Sequence, residues 1–313
     1  MPFTAKSGKF NASIKTVTVG TGDKAITLGG ENVLPFYTFD APIENAPKVG
    51  IEITDFGMEN EPECVKKYYE GCTTLADIAK KAASFEGVDF LCFRMEGGDP
   101  NGANKSTEEL MAALKEVAEA VDCPLVVAGS KNAERDAELL SKAAEAVQGK
   151  NAVILAAREE NYKTVGAAAG LAYTQIVGAE SSVDINLAKQ LNVLLTQLGV
   201  NASSIAMNVG TAAAGYGYEY VASTMQRVKA AALSQNDTQL QMPIITPVAS
   251  EVWGVKEAVT TEADMPEWGD QERRGVDMEV QTAAADLACG SNAVILKHPT
   301  SIATISKMIK ELV

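Results

Sequence analysis

The chain has 313 residues, with 41 acidic and 27 basic side chains, a formal charge of −14 and 46% hydrophobic residues. That field repels nucleic acid and anionic membrane surfaces, and the apolar fraction is that of a folded globular protein rather than a disordered one. No apolar stretch reaches the ~18 residues of a membrane span, and the leading MPFTAKSGKFNAS lacks the apolar centre of a secretion signal, so a cytoplasmic location is expected.

Residues 1–47 read as a unit of their own. Thr16–Val19 and Ala25–Leu28 alternate on either side of Gly20-Thr21-Gly22-Asp23, the pattern of a β-hairpin. An extended connector with Pro35, Pro42 and Pro47 follows. From residue 48 to 313, short apolar runs alternate with helical patterns. The expected strands are Val49–Thr54, Val88–Met95, Pro124–Val127, Ala152–Ala156, Tyr173–Val177, Ile205–Val209, Pro243–Thr246 and Ala293–Lys297. Runs such as Val153-Ile154-Leu155 do not alternate, which suits a parallel sheet buried on both faces. Between them, Leu110, Leu114, Val117 and Val121 share one helical face. Leu187, Leu191, Leu194 and Leu198 share another, as do Val221, Met225, Val228 and Ala232, and Ile302, Ile305, Ile309 and Leu312. Ser106 three residues before Glu109 predicts a capping box, and Ser301 is expected to open the last helix.

Eight strands, each followed by a helix, predict an α/β fold of the TIM (β/α)8 barrel class with an N-terminal β-hairpin extension across its bottom or along its side. A doubly wound open sheet is the alternative, although no GxGxxG follows an early strand.

In such a barrel the chemistry sits at the C-terminal strand ends. The rim then holds Asp55, Asp99, Arg158, Glu159, Lys297 and His298. Asp55 and Asp99 fit turn roles as well as ligand roles. Lys297 is either a Schiff-base lysine or a rim salt bridge. His298, before Pro299, is either a helix-entry residue or a ligand contact. The loop Asn208–Tyr218 is rich in glycine, alanine and tyrosine, which lets its backbone approach a flat partner closely. The segment Glu251–Gly275, flanked by Trp253 and Trp268, is long enough for a lid or partner contact. Five cysteines without a CxxC support neither a disulfide framework nor a metal cluster. Cys92 and Cys123 read as buried free thiols.

Several blocks resemble the small (delta) subunit of the corrinoid iron–sulfur protein of the acetyl-CoA decarbonylase/synthase system. They are Gly30–Glu52, Gly87–Asp99, Asn208–Tyr220, Pro243–Trp253 and Asn292–Pro299. The resemblance implies a TIM barrel related to pterin-binding methyltransferases. It implies a heterodimer whose large subunit carries the [4Fe–4S] cluster and the main corrinoid (cobalamin) domain. The expected role is to help enclose a corrinoid that takes a methyl group from a methyl-tetrahydropterin, through a separate methyltransferase, and delivers it to acetyl-CoA synthase. These two enzymes are then transient partners, and neither nucleic acid nor membrane is one. Under the resemblance, Asn208, Gly210, Thr211, Ala213, Gly215 and Tyr216 are the corrinoid-facing residues, and no catalytic residue or metal ligand is assigned to this chain. Pterin-binding barrels hold their ligand with Asp and Asn at several strand ends. The tips Gly129-Ser130, Gly178-Ala179 and Thr246-Pro247 leave that set incomplete here. The alternative is a stand-alone barrel enzyme, either of the pterin-dependent methyltransferase type or a lysine-based aldolase.

Overall fold

The computed structural model describes residues 8–313. The first strands among the described residues are antiparallel, β1 (Val17–Val19) and β2 (Ile26–Leu28), paired Val17 to Leu28. Eight parallel strands follow: β3 (Lys48–Thr54), β4 (Phe90–Arg94), β5 (Leu125–Ala128), β6 (Val153–Ala157), β7 (Ile176–Glu180), β8 (Ile205–Asn208), β9 (Ile245–Thr246) and β10 (Ala293–Leu296). They bond in the order β8-β7-β6-β5-β4-β3-β10-β9. A parallel bridge between Met207 and Ile244, with Met207 N donating to Pro243 O at 2.8 Å, brings β8 round to the start of β9. The sheet thus closes on itself as a barrel, and helices on the outside cover its apolar outer face.

Strand alternation sends one set of side chains outward to the helices and the other inward. The inward set includes Phe90, Cys92, Val126, Val153, Leu155, Ala206 and Ile295. Val17, Val19 and Leu28 of the hairpin belong to the same inner cluster. The hairpin therefore plugs the bottom of the barrel. Asn151, just before β6, ties it there, with Nδ2 donating to Thr18 O at 2.8 Å and its carbonyl accepting from Gly20 N at 2.9 Å. Cys92 is fully buried in this interior, whereas Cys123 is only half-buried at the barrel's lower edge.

Inside the barrel, Gly50 leaves room for the Phe90 ring. A Cβ at Gly50 would lie 2.2 Å from Phe90 Cε2. Gly50→Ala should cost about 1–3 kcal/mol by overpacking, and Phe90→Leu in the same chain should recover part of it. Urea midpoints of the single and double variants check this, and a neutral Gly50→Ala would refute the packing.

Seven strands fall where the apolar runs place them. The exception is β7, expected at Tyr173–Val177 and found three residues later. Thr174 has a left-handed φ of 51°, and Gln175 is buried with Oε1 accepting from Ala152 N and Nε2 donating to Tyr173 O. These residues form a pinned corner. Gly178, which looks like a turn signal, lies inside the strand because a Cβ there would meet Leu155 Cδ1 at 2.6 Å.

Helix Thr107–Ala120 begins with the expected capping box between Ser106 and Glu109. The last helix, Pro299–Leu312, is capped by His298 instead of opening at Ser301, with His298 Nδ1 accepting from Thr300 N at 3.1 Å. In helix Ile185–Leu198 the buried centre is Ala188, Leu191, Asn192 and Leu195, turned by about one position from the expected leucine stripe. The segment after β9 carries short helices Val248–Val252 and Lys256–Val259, then the long helix Gln271–Cys289. The buried face of that long helix includes Gly275, Glu279, Thr282 and Asp286, so no apolar stripe announces it.

Candidate functional site

The hairpin closes one end of the barrel, and the other end, at the C-terminal tips of the strands, is lined with charge. From β3, Glu52 points inward and meets Arg94 at the end of β4. Its Oε2 accepts from Arg94 Nε at 2.9 Å and lies 2.8 Å from Nη2. Burial opposes ionisation of Glu52, yet Arg94 and then Lys297 outweigh it and hold the carboxyl below its ordinary pKa. Lys297, just past β10, is bonded by both oxygens of Glu61 at 2.6 and 2.8 Å. Burial would discharge this ammonium, but Glu61 and Glu52 raise its pKa and keep it charged.

Across the mouth, Arg158 Nη2 lies 2.8 Å from Glu180 Oε1, and Asn208 Nδ2 donates to Glu180 Oε2 at 3.2 Å. Asn208 Oδ1 accepts from Gly210 N at 3.0 Å, so the amide is held at both ends. Lys131 Nζ pairs with Glu251 at 2.7 Å. Asp136 Oδ1 accepts from Ser130 N and Oγ at 2.7 and 2.8 Å. Burial raises the Asp136 pKa in spite of those bonds. After β7, Ser182 and Val183 both take left-handed φ, 45° and 65°, a strained turn for a β-branched residue. Val183 N, donating to Val209 O at 2.7 Å, holds it.

These groups surround a cavity of about 220 Å³ lined by Arg94, Lys131, Asp136, Arg158, Glu180 and Asn208, among others. A second cavity of about 270 Å³ adjoins it through Arg94, Lys131 and Ser250 and reaches Trp253 and Lys297. A third, of about 480 Å³, continues past Trp253 to Glu61 and Gln271. Together they form a trough across the mouth.

The rim residues selected from the sequence resolve into mostly structural roles. Asp55 is buried, with Oδ1 accepting from Gly97 N at 2.9 Å and Oδ2 bonded to Lys105 at 2.8 Å. Asp99 caps a turn by accepting from Asn101 N at 2.9 Å. Lys297 is the salt bridge, and His298 is the helix-entry residue. The His298 ring is fully buried between Tyr68 and Trp253. Burial lowers its pKa although Glu272 works the other way. Arg158 lines the cavity, whereas Glu159 is exposed and outside it.

The loop Asn208–Tyr218 divides. Asn208, Gly210 and Thr211 line the first cavity. Ala213 is buried beneath the loop, while Gly215 and Tyr216 lie on the outer rim, where the Tyr216 hydroxyl donates to Glu257. The long helix Gln271–Cys289 fastens this loop. Asp286 accepts from Thr211 Oγ1 at 2.9 Å and from Tyr218 OH at 3.1 Å, and Thr282 Oγ1 accepts from Ala214 N at 3.0 Å. Glu279 of the same helix accepts from Lys297 N and His298 N at 2.6 and 3.2 Å. One polar helix face thus sets the loops after β8 and β10.

Glu52, Glu61, Arg94, Glu180, Glu279 and Asp286 escape the sequence reading. For Glu52 and Arg94 a signal exists, since each continues the inward alternation Gly50–Glu52–Thr54 or Phe90–Cys92–Arg94. Glu180 is hidden by the displaced β7. Among the described residues, no three His, Cys, Asp or Glu side chains gather as a metal site, and no helix is long and apolar enough to cross a membrane.

The family model described as CO dehydrogenase/acetyl-CoA synthase delta subunit matches residues 16–284. The acetyl-CoA decarbonylase/synthase complex subunit delta of Archaeoglobus fulgidus is 32% identical over 298 residues, covering 94% of this chain and 65% of that protein. Subunit delta 1 of Methanosarcina thermophila is 31% identical, covering 94% of this chain and 67% of its own length. The chain thus spans about two thirds of the length of these relatives. Among solved structures, dihydropteroate synthase from Xanthomonas albilineans with 4-aminobenzoic acid aligns at a TM-score of 0.57 with 12% identity, over 95% of this chain and 97% of that one. The 7,8-dihydropteroate synthase of Vibrio fischeri aligns at 0.56, also with 12% identity and the same coverage. At that identity the likeness is one of fold, a TIM barrel. With residues 16–284 matched by the family model and 94% of this chain aligned to a relative at 32% identity, the chain belongs to the CO dehydrogenase/acetyl-CoA synthase delta subunit family.

Proposed function

We propose that this chain is the barrel subunit of a heterodimeric corrinoid carrier, paired with a larger subunit that holds a [4Fe–4S] cluster, and working in the cytoplasm. In this reading a separate methyltransferase and acetyl-CoA synthase are its transient partners. The corrinoid, when bound, supplies the cobalt centre that carries the methyl group. This chain's residues shield and orient it. The observation that carries the reading is the state of the strand-end groups. Lys297 is neutralised by Glu61, Asp55 is spent on Gly97 and Lys105, and His298 is a buried helix cap. None of the three is free to act as nucleophile, acid or base. Family membership in an acetyl-CoA decarbonylase/synthase subunit supports the same reading.

The mouth fits such a group. Its trough is lined by cations and carboxylates in equal number around the first cavity, and Gly210 and Thr211 border that cavity. The pairing of Glu180 with Asn208 at adjacent strand ends favours a second reading, a barrel that binds a pteridine by itself. Native purification with determination of subunit, cobalt and iron content separates the two. The expected result is co-purification with a larger chain in equal amount, cobalt stoichiometric with the pair and a [4Fe–4S] spectrum. A lone, colourless chain that binds a pteridine would overturn the carrier reading.

A further inference from the structure

Three cations and three carboxylates line the first cavity at the mouth, Arg94, Lys131 and Arg158 with Asp136, Glu180 and Glu251. Arg158 pairs with Glu180 and Lys131 with Glu251 at 2.8 Å or less, Arg94 pairs at 2.8 Å with Glu52 of the adjoining cavity, and Asp136 accepts from Ser130. The wall is therefore charge-balanced while dense in donors and acceptors. An anion would sit against carboxylates or break a pair, and a cation would meet guanidinium and ammonium groups. Either loses hydration without new compensation. A neutral group with N–H donors beside a carbonyl is accommodated without disturbing any pair. Glu180 is held in place from two sides, by Arg158 and by the buried Asn208. Size narrows the choice. At about 220 Å³ the cavity falls below the roughly 300–1,000 Å³ of a pocket that encloses a whole ligand of drug or cofactor size. It takes a limb. The adjoining cavity of about 270 Å³ shares Arg94, Lys131 and Ser250 with it, so two polar wells lie side by side under one opening.

We propose that these two wells receive neutral carboxamide arms from the edge of a corrin ring, with Glu180 and Arg158 as the acceptor and donor that select an amide over a carboxylate. A corrin carries acetamide and propionamide arms around its rim, which gives limbs of the required size and polarity. The inference rests on the corrinoid reading above and adds which residues of this chain discriminate among corrinoids.

The test uses the natively purified complex, freed of its corrinoid and titrated with cyanocobalamin and with its derivatives in which one arm amide is hydrolysed to a carboxylate. Binding is followed by corrin absorbance. The expected result is a preference of about tenfold or more for the all-amide form over at least one monocarboxylate. Glu180→Gln, which leaves Arg158 without its carboxylate, should abolish or invert that ratio. Glu251→Gln, on a half-exposed side chain of the same wall, should shift it in the same sense without touching a strand. Equal affinity for amide and carboxylate forms, or a ratio that neither variant moves, overturns the assignment and leaves the carrier reading standing. A complex that rebinds no corrinoid fails the carrier reading itself. Saturable binding of a free pteridine to the complex, lost in Glu180→Gln while corrinoid discrimination is unaffected, overturns the assignment in favour of a heterocycle site.

Discussion

Glu52→Ala should lower the folding stability by about 3–5 kcal/mol, the usual cost of stripping one partner from a buried ion pair. Glu52 is 3% exposed and Arg94 7% exposed, so removing the carboxylate leaves a largely buried guanidinium without its charge partner. The Glu52→Leu, Arg94→Met double variant removes both charges and should come within about 1 kcal/mol of wild type or exceed it, since apolar replacements of a buried pair are often neutral or stabilising. Urea denaturation of the two variants checks the pattern. A Glu52→Ala loss below about 1 kcal/mol, the range of an exposed pair, would mean that water reaches the site. The pH dependence carries a sign as well. The folded pKa of Glu52 is depressed, so its contribution is complete above the ordinary carboxylate value and is lost as pH falls through the lower folded value. Acid should therefore destabilise wild type more steeply than Glu52→Gln.

The second large effect has the opposite sign. Asp286 is fully buried, and burial raises its pKa to about 7 against the lowering influence of its bonds from Thr211 and Tyr218. The folded protein thus holds a proton that the unfolded chain releases near pH ~3.9. Stability from this group is complete below that ordinary value, falls as pH rises toward about 7 and levels off above it. Each unit of separation is worth about 1.4 kcal/mol, so the total is a few kcal/mol. Asp286→Asn mimics the neutral form. It should match wild type near pH ~4 and exceed it by a few kcal/mol near pH ~8. Thermal or urea unfolding across that range gives the comparison. A variant less stable than wild type at the alkaline end would show that the Asn208–Tyr218 loop needs the anion. Because Asp286 grips that loop through Thr211 and Tyr218, the same titration should alter protease sensitivity around Gly215.

What local patterns encode, the sequence alone determined. The uninterrupted runs Val153-Ile154-Leu155 and Val294-Ile295-Leu296 marked strands buried on both faces, and eight such runs with intervening helices allow few arrangements besides a closed parallel barrel. Ser106 and Glu109, three residues apart, specified their own cap. The hairpin was legible from alternation, and its seat at the barrel bottom was one of two places left open. The site is another matter. Asn208, Gly210 and Thr211 reach the cavity, but Glu180 was concealed because Thr174 and Gln175 form a corner where alternation reads as strand. The helix Gln271–Cys289 buries Glu279, Thr282 and Asp286, so it lacks the apolar period by which a helix is found. The charge pairs of the mouth join residues 42 positions apart in Arg94–Glu52 and 236 apart in Lys297–Glu61. Hydrophobic period is a property of neighbours along the chain and survives in the sequence. The partner that neutralises a buried charge is a property of the closed barrel, because only closure brings distant strand ends within hydrogen-bonding reach and removes the water that would otherwise solvate them.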